Sequence, residues 1–195
     1  MSKHRSHTHE GFTLTELLMV MAVFIIMAAV AMPQLGRALD LYRLGIAVRE
    51  VERELQTARV NAVQANRSVR VLFNCPAAGL FRRVEVLGEP GLADGRDSSV
   101  ARCSDATFPY PAPDLDPLTR PNLDGPVHRL PVGVAFGGIG GIEFLPNGTA
   151  RSASAGMFTF ANIGTDGVSA TVTKEASSRS VLVNGMGRVF VTGRR

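Results

Sequence analysis

The pattern of apolar and polar positions divides the chain into a polar leader, a long apolar block and a body of shorter patterned segments. Residues 1–11 (MSKHRSHTHEG) are polar and basic, whereas sixteen consecutive apolar residues run from Leu17 to Met32. A helix over this block, begun at Phe12, would span about 30 Å at 1.5 Å per residue, enough to cross a bilayer core. Because positive charge precedes the block, we expect the leader to remain cytoplasmic and the chain after Pro33 to face outward.

Helical periodicity continues beyond the apolar block and predicts an amphipathic stalk over residues 34–66. The apolar positions alternate steps of four and three residues. They are Leu44, Val48, Val51, Leu55, Ala58, Ala62 and Ala65. Such a stripe is more often packed on its own domain than in an intermolecular coiled coil, so we expect a sheet to cover it. The anchor (12–33) and the stalk together form one helix that ends near Asn66.

From Val69 onward the period changes to that of β-strands. The predicted strands are Val69–Phe73, Leu80–Leu87, Val132–Phe136, Ile142–Leu145, Met157–Ala161, Val168–Thr173, Ser180–Val183 and Arg188–Thr192. Residues 88–131 contain eight Pro and predict a long irregular loop, while Gly137–Gly141 predicts a flexible link between strands. Short strands without intervening helices indicate an antiparallel sheet packed on the stalk, an α+β fold whose β-rich domain covers residues 67–195.

Glu16 is the one charge inside the apolar N-terminal segment. A carboxylate in a membrane helix costs about 2.5 kcal/mol or more near the centre and less near an interface, so it marks a functional hypothesis. Cleavage after Gly11 would create an ammonium group on Phe12, which could pair with Glu16 of the same chain or of a neighbour. The alternative is that Glu16 marks the helix start and interacts with the helix dipole.

The segment Gly-Phe-Thr-Leu-Thr-Glu-Leu (Gly11–Leu17), followed by the apolar run and Pro33, resembles the class III signal of type IV prepilins and type II secretion pseudopilins. The resemblance implies that a membrane peptidase cuts between Gly11 and Phe12 and methylates Phe12. It also implies that Glu16 docks the subunit into a filament and that Pro33 bends the helix. An ordinary secretory signal fits poorly, because its cleavage site follows the apolar run.

This resemblance also implies the location and the partners of the chain. The protein is expected in the inner membrane as a single-pass protein with a periplasmic C-terminal domain, and later in a filament at the cell surface. The expected partners are other pilins or pseudopilins, the prepilin peptidase and methylase, and the inner membrane itself.

The C-terminal region is similar to the GspH/FimT group of minor pilins and pseudopilins, through Phe144–Thr149 and the alternation around Asn-Gly-Met-Gly in Val181–Val191. The similarity implies a minor subunit that primes filament assembly. A major structural pilin and a DNA-binding minor pilin for natural transformation are the alternatives. Arg188, Arg194 and Arg195 are the candidate DNA-binding residues, although Gly187-Arg188-Val189-Phe190 lacks the second Arg of the Gly-Arg-x-Arg signature of the FimT branch.

Little other chemistry is indicated by the sequence. Cys75 and Cys103 are the only cysteines; in an exported domain they could form a disulfide worth about 3 kcal/mol, or they could stay unpaired. Three of the four histidines lie in the leader, and His128 stands apart from any nucleophile motif. We therefore expect no catalytic residues, no metal site and no cofactor, and we do not expect an enzyme. A net charge of +4 permits an acidic partner without requiring one.

Overall fold

The computed structural model describes residues 12–86, 102–103, 106, 109–111, 123–154, 160–164, 166–174 and 177–193. The leader, Gly11, Arg194, Arg195 and most of the loop predicted at 88–131 lie outside the described residues. The chain divides into two compact units, Met1–Asp40 and Leu41–Arg195. The helix α1, Leu14–Ala65, contributes its first part to one unit and its second part to the other.

Local interactions at each end of α1 explain where the helix begins and stops. Thr13 caps its N-terminus: its Oγ1 accepts a hydrogen bond from the Glu16 N–H at 3.3 Å. At the other end Asn66 adopts a left-handed conformation with φ 53°. The Arg67 N–H then donates to the carbonyl of Ala62 at 3.2 Å, the six-to-one bond that closes a helix after a left-handed residue. The predicted helix is confirmed, with its end at the expected position.

The second part of α1 buries the predicted apolar stripe from Leu44 to Ala62. The stripe therefore packs inside its own domain, as expected. The prediction differs at three positions: Ala65 is exposed at the last turn, whereas Ala47 and Glu54 are buried. Glu54 is buried because charged partners from the β-rich domain reach it, which the helical pattern alone does not reveal.

Ten strands follow the helix. They are β1 Val69–Phe73, β2 Leu80–Glu85, β3 His128–Arg129, β4 Ala135–Gly137, β5 Ile139–Phe144, β6 Ala150–Ser154, β7 Ala161–Asn162, β8 Val168–Lys174, β9 Ser177–Val183 and β10 Val189–Gly193. They form two antiparallel sheets, a six-stranded sheet of order β3-β2-β1-β5-β6-β7 and a four-stranded sheet of order β10-β9-β8-β4. The α+β class is confirmed, while the strands are divided between two sheets.

Two segments predicted as irregular contain strand residues. Within the loop assigned to 88–131, His128 and Arg129 form β3 on the edge of β2. The link Gly137–Gly141 is mostly strand, and only Gly138, with φ 94°, separates β4 from β5. Gly141 lies so close to β1 that a Cβ there would be 3.0 Å from the carbonyl oxygen of Val71. Glycine is therefore required at this position for close strand approach rather than for flexibility.

One apolar core joins the second part of α1 to both sheets, with contributions such as Val51, Phe144 and Val181. A smaller cluster lies on the other face of the six-stranded sheet, where Leu72 and Val84 contact the two cysteines. Both faces of β1 are consequently buried, and its burial is continuous from Val69 to Phe73.

Candidate functional site

The apolar N-terminal part of α1 is entirely exposed. Every residue from Phe12 to Leu39 is exposed, including Phe24 at 65% and Met32 at 73%. An 18-residue window of α1 has a mean hydropathy of 2.5 and no buried residue. By length and composition this segment can cross a membrane. An apolar surface of this extent favours an environment of lipid or of other apolar helices over water.

Glu16 occupies the first turn of α1. Its N–H is bonded to Thr13, both to Oγ1 at 3.3 Å and to the carbonyl oxygen at 3.1 Å. The sequence Thr13-Leu14-Thr15-Glu16 has the spacing of a capping box, in which the acidic residue lies three positions after the cap. A carboxylate here interacts favourably with the helix dipole, by about 0.3–1 kcal/mol. The position of Glu16 in the first turn fits a role at the start of the helix. The residue is exposed, so its carboxylate is also accessible to a charged partner.

Pro33 lies in the interior of α1, and the helix continues through it. Proline lacks the N–H that would bond to the preceding turn and its ring crowds that turn, which is the usual origin of a helix bend. The bend at Pro33 stays a prediction.

Cys75 and Cys103 are joined in a disulfide with a Cα–Cα distance of 5.3 Å. The link fastens a residue from the middle of the long loop to the turn that follows β1. Beside it, Arg102 Nη2 donates to Asp124 Oδ1 at 2.7 Å. The same oxygen accepts the Glu85 N–H at 2.7 Å.

Arg82 completes this buried charged cluster. Its Nε donates to the carbonyl oxygen of Gly125 at 2.8 Å and its Nη1 to that of Arg102 at 3.0 Å. Arg82 and Arg102 are 0% and 1% exposed. Two buried guanidinium groups at one site require compensating partners, and the Asp124 carboxylate and the backbone carbonyls are among them. The cluster therefore fixes residues 102–103 and 123–125 of the loop against β2.

A second group of charges lies on the helix-facing side of β2. Arg83 Nη1 donates to Glu54 Oε1 at 2.7 Å. His128 Nδ1 lies 2.9 Å from Glu50 Oε1, and its Nε2 lies 3.5 Å from Glu54 Oε2. The Glu54 carboxylate raises the pKa of His128 above 6.5, burial of the ring acts in the opposite direction, and Glu50 raises the pKa further. In the chain as described, no three His, Cys, Asp or Glu side chains are grouped to hold a metal ion.

Sequence reasoning missed these charged clusters because the partners are far apart along the chain, 78 positions for Glu50 and His128. One signal was available in Phe81-Arg-Arg-Val-Glu85. Side chains alternate between faces, so a strand that carries Arg82 and Arg83 in succession places a charge on both. In a strand whose two faces are covered, each of those charges requires a partner.

The candidate C-terminal residues are only partly described. Arg188 is exposed, and its N–H is bonded to Asn184 Oδ1 at 2.9 Å in the turn between β9 and β10. Phe190, on β10, is 38% exposed. Arg194 and Arg195 lie outside the described residues.

An exposed apolar helix that continues into a helix packed on antiparallel sheets is the architecture implied by the prepilin resemblance. Residues 7–32 match the family model described as the prokaryotic N-terminal methylation motif. The chain therefore carries the N-terminal motif of prokaryotic prepilins, and Phe12 and Glu16 lie within it. No curated protein matches the chain.

Two solved structures are similar to the chain, both of the type IV minor pilin FimU from Pseudomonas aeruginosa in different crystal forms. The first has a TM-score of 0.46 and 13% identity, and the match covers 78% of this chain and 90% of the chain in that structure. The second has a TM-score of 0.44 and 13% identity, and the match covers 76% of this chain and 92% of the chain in that structure.

Proposed function

We propose that the chain is a minor pilin or pseudopilin that is incorporated into a type IV pilus or a type II secretion pseudopilus and primes its assembly. The observation that carries the proposal is the N-terminal methylation motif over residues 7–32, on a helix whose apolar part is wholly exposed. Such a surface is stable in a bilayer and, after extraction, among the apolar helices of other subunits. The role is structural, and no catalytic step is assigned to the chain.

The proposed order of events follows from the positions of the residues. Cleavage between Gly11 and Phe12 removes the polar leader and leaves an ammonium group at Phe12, one residue before the Thr13 cap. Methylation of that nitrogen retains its charge. Glu16, four positions further, then forms the ion pair with the ammonium group of Phe12 in its own chain or in the neighbouring subunit. The domain that follows is periplasmic before assembly and on the filament afterwards.

Processing is tested by mass spectrometry of the mature N-terminus in a host that has the prepilin peptidase. The expected chain begins at Phe12 and is heavier by one methyl group. Gly11→Leu is expected to retain the leader, whereas the matched change Ser6→Leu, inside the leader, is expected to be processed normally. A mature chain that begins elsewhere would overturn the assignment.

Assembly is tested by deleting the gene and counting filaments, with secretion measured in parallel. A priming subunit is present at low copy number yet is required, so filament number should fall although major subunits are still made. Abundance in sheared filaments separates this role from that of a major structural pilin, which would be the dominant component.

A DNA-binding minor pilin is the second candidate, favoured by the exposure of Arg188 and by the four arginines among residues 176–195, which contain no acidic residue. Contacts to phosphate give affinity that falls steeply with salt. Changing Arg188, Arg194 and Arg195 together to Ala should abolish DNA binding, as measured by gel shift. Binding that is insensitive to salt, or unchanged in the triple variant, would contradict it.

A further inference from the structure

The outer edge of β10 is a candidate interaction surface on the described part of the β-rich domain. Among the described strands, β10 lies at the end of the four-stranded sheet and pairs only with β9. An edge strand presents unpaired N–H and C=O groups that can template another strand. Natural edges are commonly protected by Pro, by bulges or by charges along the strand. Val189–Gly193 contains no proline and no charged residue.

The strand register shows which backbone groups point outward. The Asn184 N–H donates to the carbonyl oxygen of Arg188 at 3.1 Å, so these two residues form a hydrogen-bonded pair. Pairs alternate along an antiparallel ladder, and the next hydrogen-bonded pair is therefore Leu182 with Phe190. The N–H and C=O groups of Val189, Val191 and Gly193 consequently point away from β9, to the open side of β10.

The surroundings of this edge are apolar and basic. Phe190 and Val191 are 38% and 39% exposed, and Arg188 is exposed at the start of the strand. The sequence continues directly into Arg194 and Arg195, so cationic residues flank the strand on both sides. A second copy of β10 would bring these like charges together, which disfavours self-pairing.

We propose that the β10 edge binds an extended segment of another protein as an added β-strand, and that the segment carries acidic residues on both sides of a short apolar stretch. The outward backbone groups provide the hydrogen bonds, and Val191 and Phe190 contact the apolar stretch. Arg188, together with the positive charge that the sequence carries after the strand, favours acidic ends. The proposal holds whether or not the chain is a filament subunit.

Hydrogen exchange of the full chain in non-ionic detergent, read by mass spectrometry, tests the proposal. The probe is a short synthetic peptide with a central stretch of Val between Glu residues at both ends. At saturation, exchange of the outward amides of Val189, Val191 and Gly193 is expected to slow at least about tenfold, whereas the amides of Phe190 and Thr192 already bond to β9. The same peptide with Lys in place of Glu, or with a methylated backbone, should give no protection.

Val191→Pro provides the decisive variant. Because the Val191 N–H points to the open side, proline removes an outward donor without breaking a bond to β9. Val191→Thr is the matched control that keeps the donor and a β-branched side chain. Loss of protection by peptide in the proline variant alone supports the proposal.

Three results would overturn it. The first is slow exchange of the outward amides of Val189, Val191 and Gly193 in the free protein, which would mean that another segment of this chain occupies the edge. The second is equal protection by the methylated peptide. The third is protection by duplex DNA but not by the acidic peptide.

Discussion

Replacement of Asp124 by Ala should destabilise the β-rich domain severely. Asp124 accepts hydrogen bonds from Arg102 Nη2 and from the Glu85 N–H, each at 2.7 Å, and its second oxygen lies 4.0 Å from Arg82 Nη2. Removing the carboxylate takes a nearby negative charge away from two guanidinium groups that are 0% and 1% exposed. Breaking a buried pair in this way costs about 3–5 kcal/mol, far more than the pair contributes relative to apolar residues of equal volume.

The change is measured as the urea midpoint of the domain, by brief proteolysis of the full chain in non-ionic detergent at each urea concentration. With a urea dependence of about 2 kcal/mol per molar, a loss of 4 kcal/mol lowers the midpoint by about 2 M. Asp166→Ala removes an exposed carboxylate and is the matched control, expected within about 0.5 kcal/mol of the natural chain.

A midpoint for Asp124→Ala equal to that of Asp166→Ala would refute the reasoning that Asp124 neutralises the two arginines. Asp124→Asn provides an intermediate test. Both hydrogen bonds end on Oδ1, so an amide oxygen in that position can still accept them. The negative charge is lost, so the midpoint should fall between those of the natural chain and the alanine variant.

Three further predictions concern other parts of the chain. The pKa of His128 is raised in the folded state, so the stabilisation from its protonated ring is complete below pH 6.5 and is lost as the pH rises through the folded pKa. The urea midpoint of the natural chain should therefore fall from pH 6 to pH 8, and that of His128→Gln should fall less. An equal fall in both proteins would contradict this. Replacing Cys75 and Cys103 by Ser should lower the free energy of unfolding by about 3 kcal/mol, and a reducing agent should lower the urea midpoint of the natural chain to that of the variant. An unchanged midpoint would show that the disulfide does not stabilise the domain. Glu16→Gln should leave membrane insertion and cleavage intact but reduce incorporation into filaments. Thr13→Val removes the cap of α1, so it should lower helix stability by about 1 kcal/mol and retain incorporation. Normal incorporation of Glu16→Gln would leave Glu16 with its role at the helix start alone.

Features that depend on local pattern could be predicted from the sequence. The strand Val69–Phe73 was predicted with its observed bounds, and the end of α1 was placed near Asn66. Both features depend on residues that are neighbours in sequence. The apolar stripe of the stalk was found for the same reason. The division into two sheets was not predicted, since it depends on which strands pair across the core.

The buried charges of β2 show why the remaining features could not be predicted. Charged residues in a strand ordinarily indicate an exposed face, and Arg82 and Arg83 were read only as part of a strand. The burial of Arg82 and the partial burial of Arg83 depend on Asp124, on Glu54 and on backbone carbonyls, 20 to 43 positions away in sequence. A single sequence contains the partners but not their proximity.

The chain exposes apolar residues in one segment and buries charges in another. Both features depart from the usual arrangement of apolar residues inside and charges outside, and their physical consequences differ. The residues of α1 from Phe12 to Leu39 are exposed, so under the proposed function their free energy depends on a bilayer or on neighbouring helices and should respond to Glu16 and Phe12. The buried charges of β2 bond within the β-rich domain and are expected to affect its stability. Variants at Asp124 should therefore change the urea midpoint without changing membrane insertion, whereas variants at Glu16 should change incorporation without changing the midpoint. A variant at either position that altered both properties would show that the two units are energetically coupled.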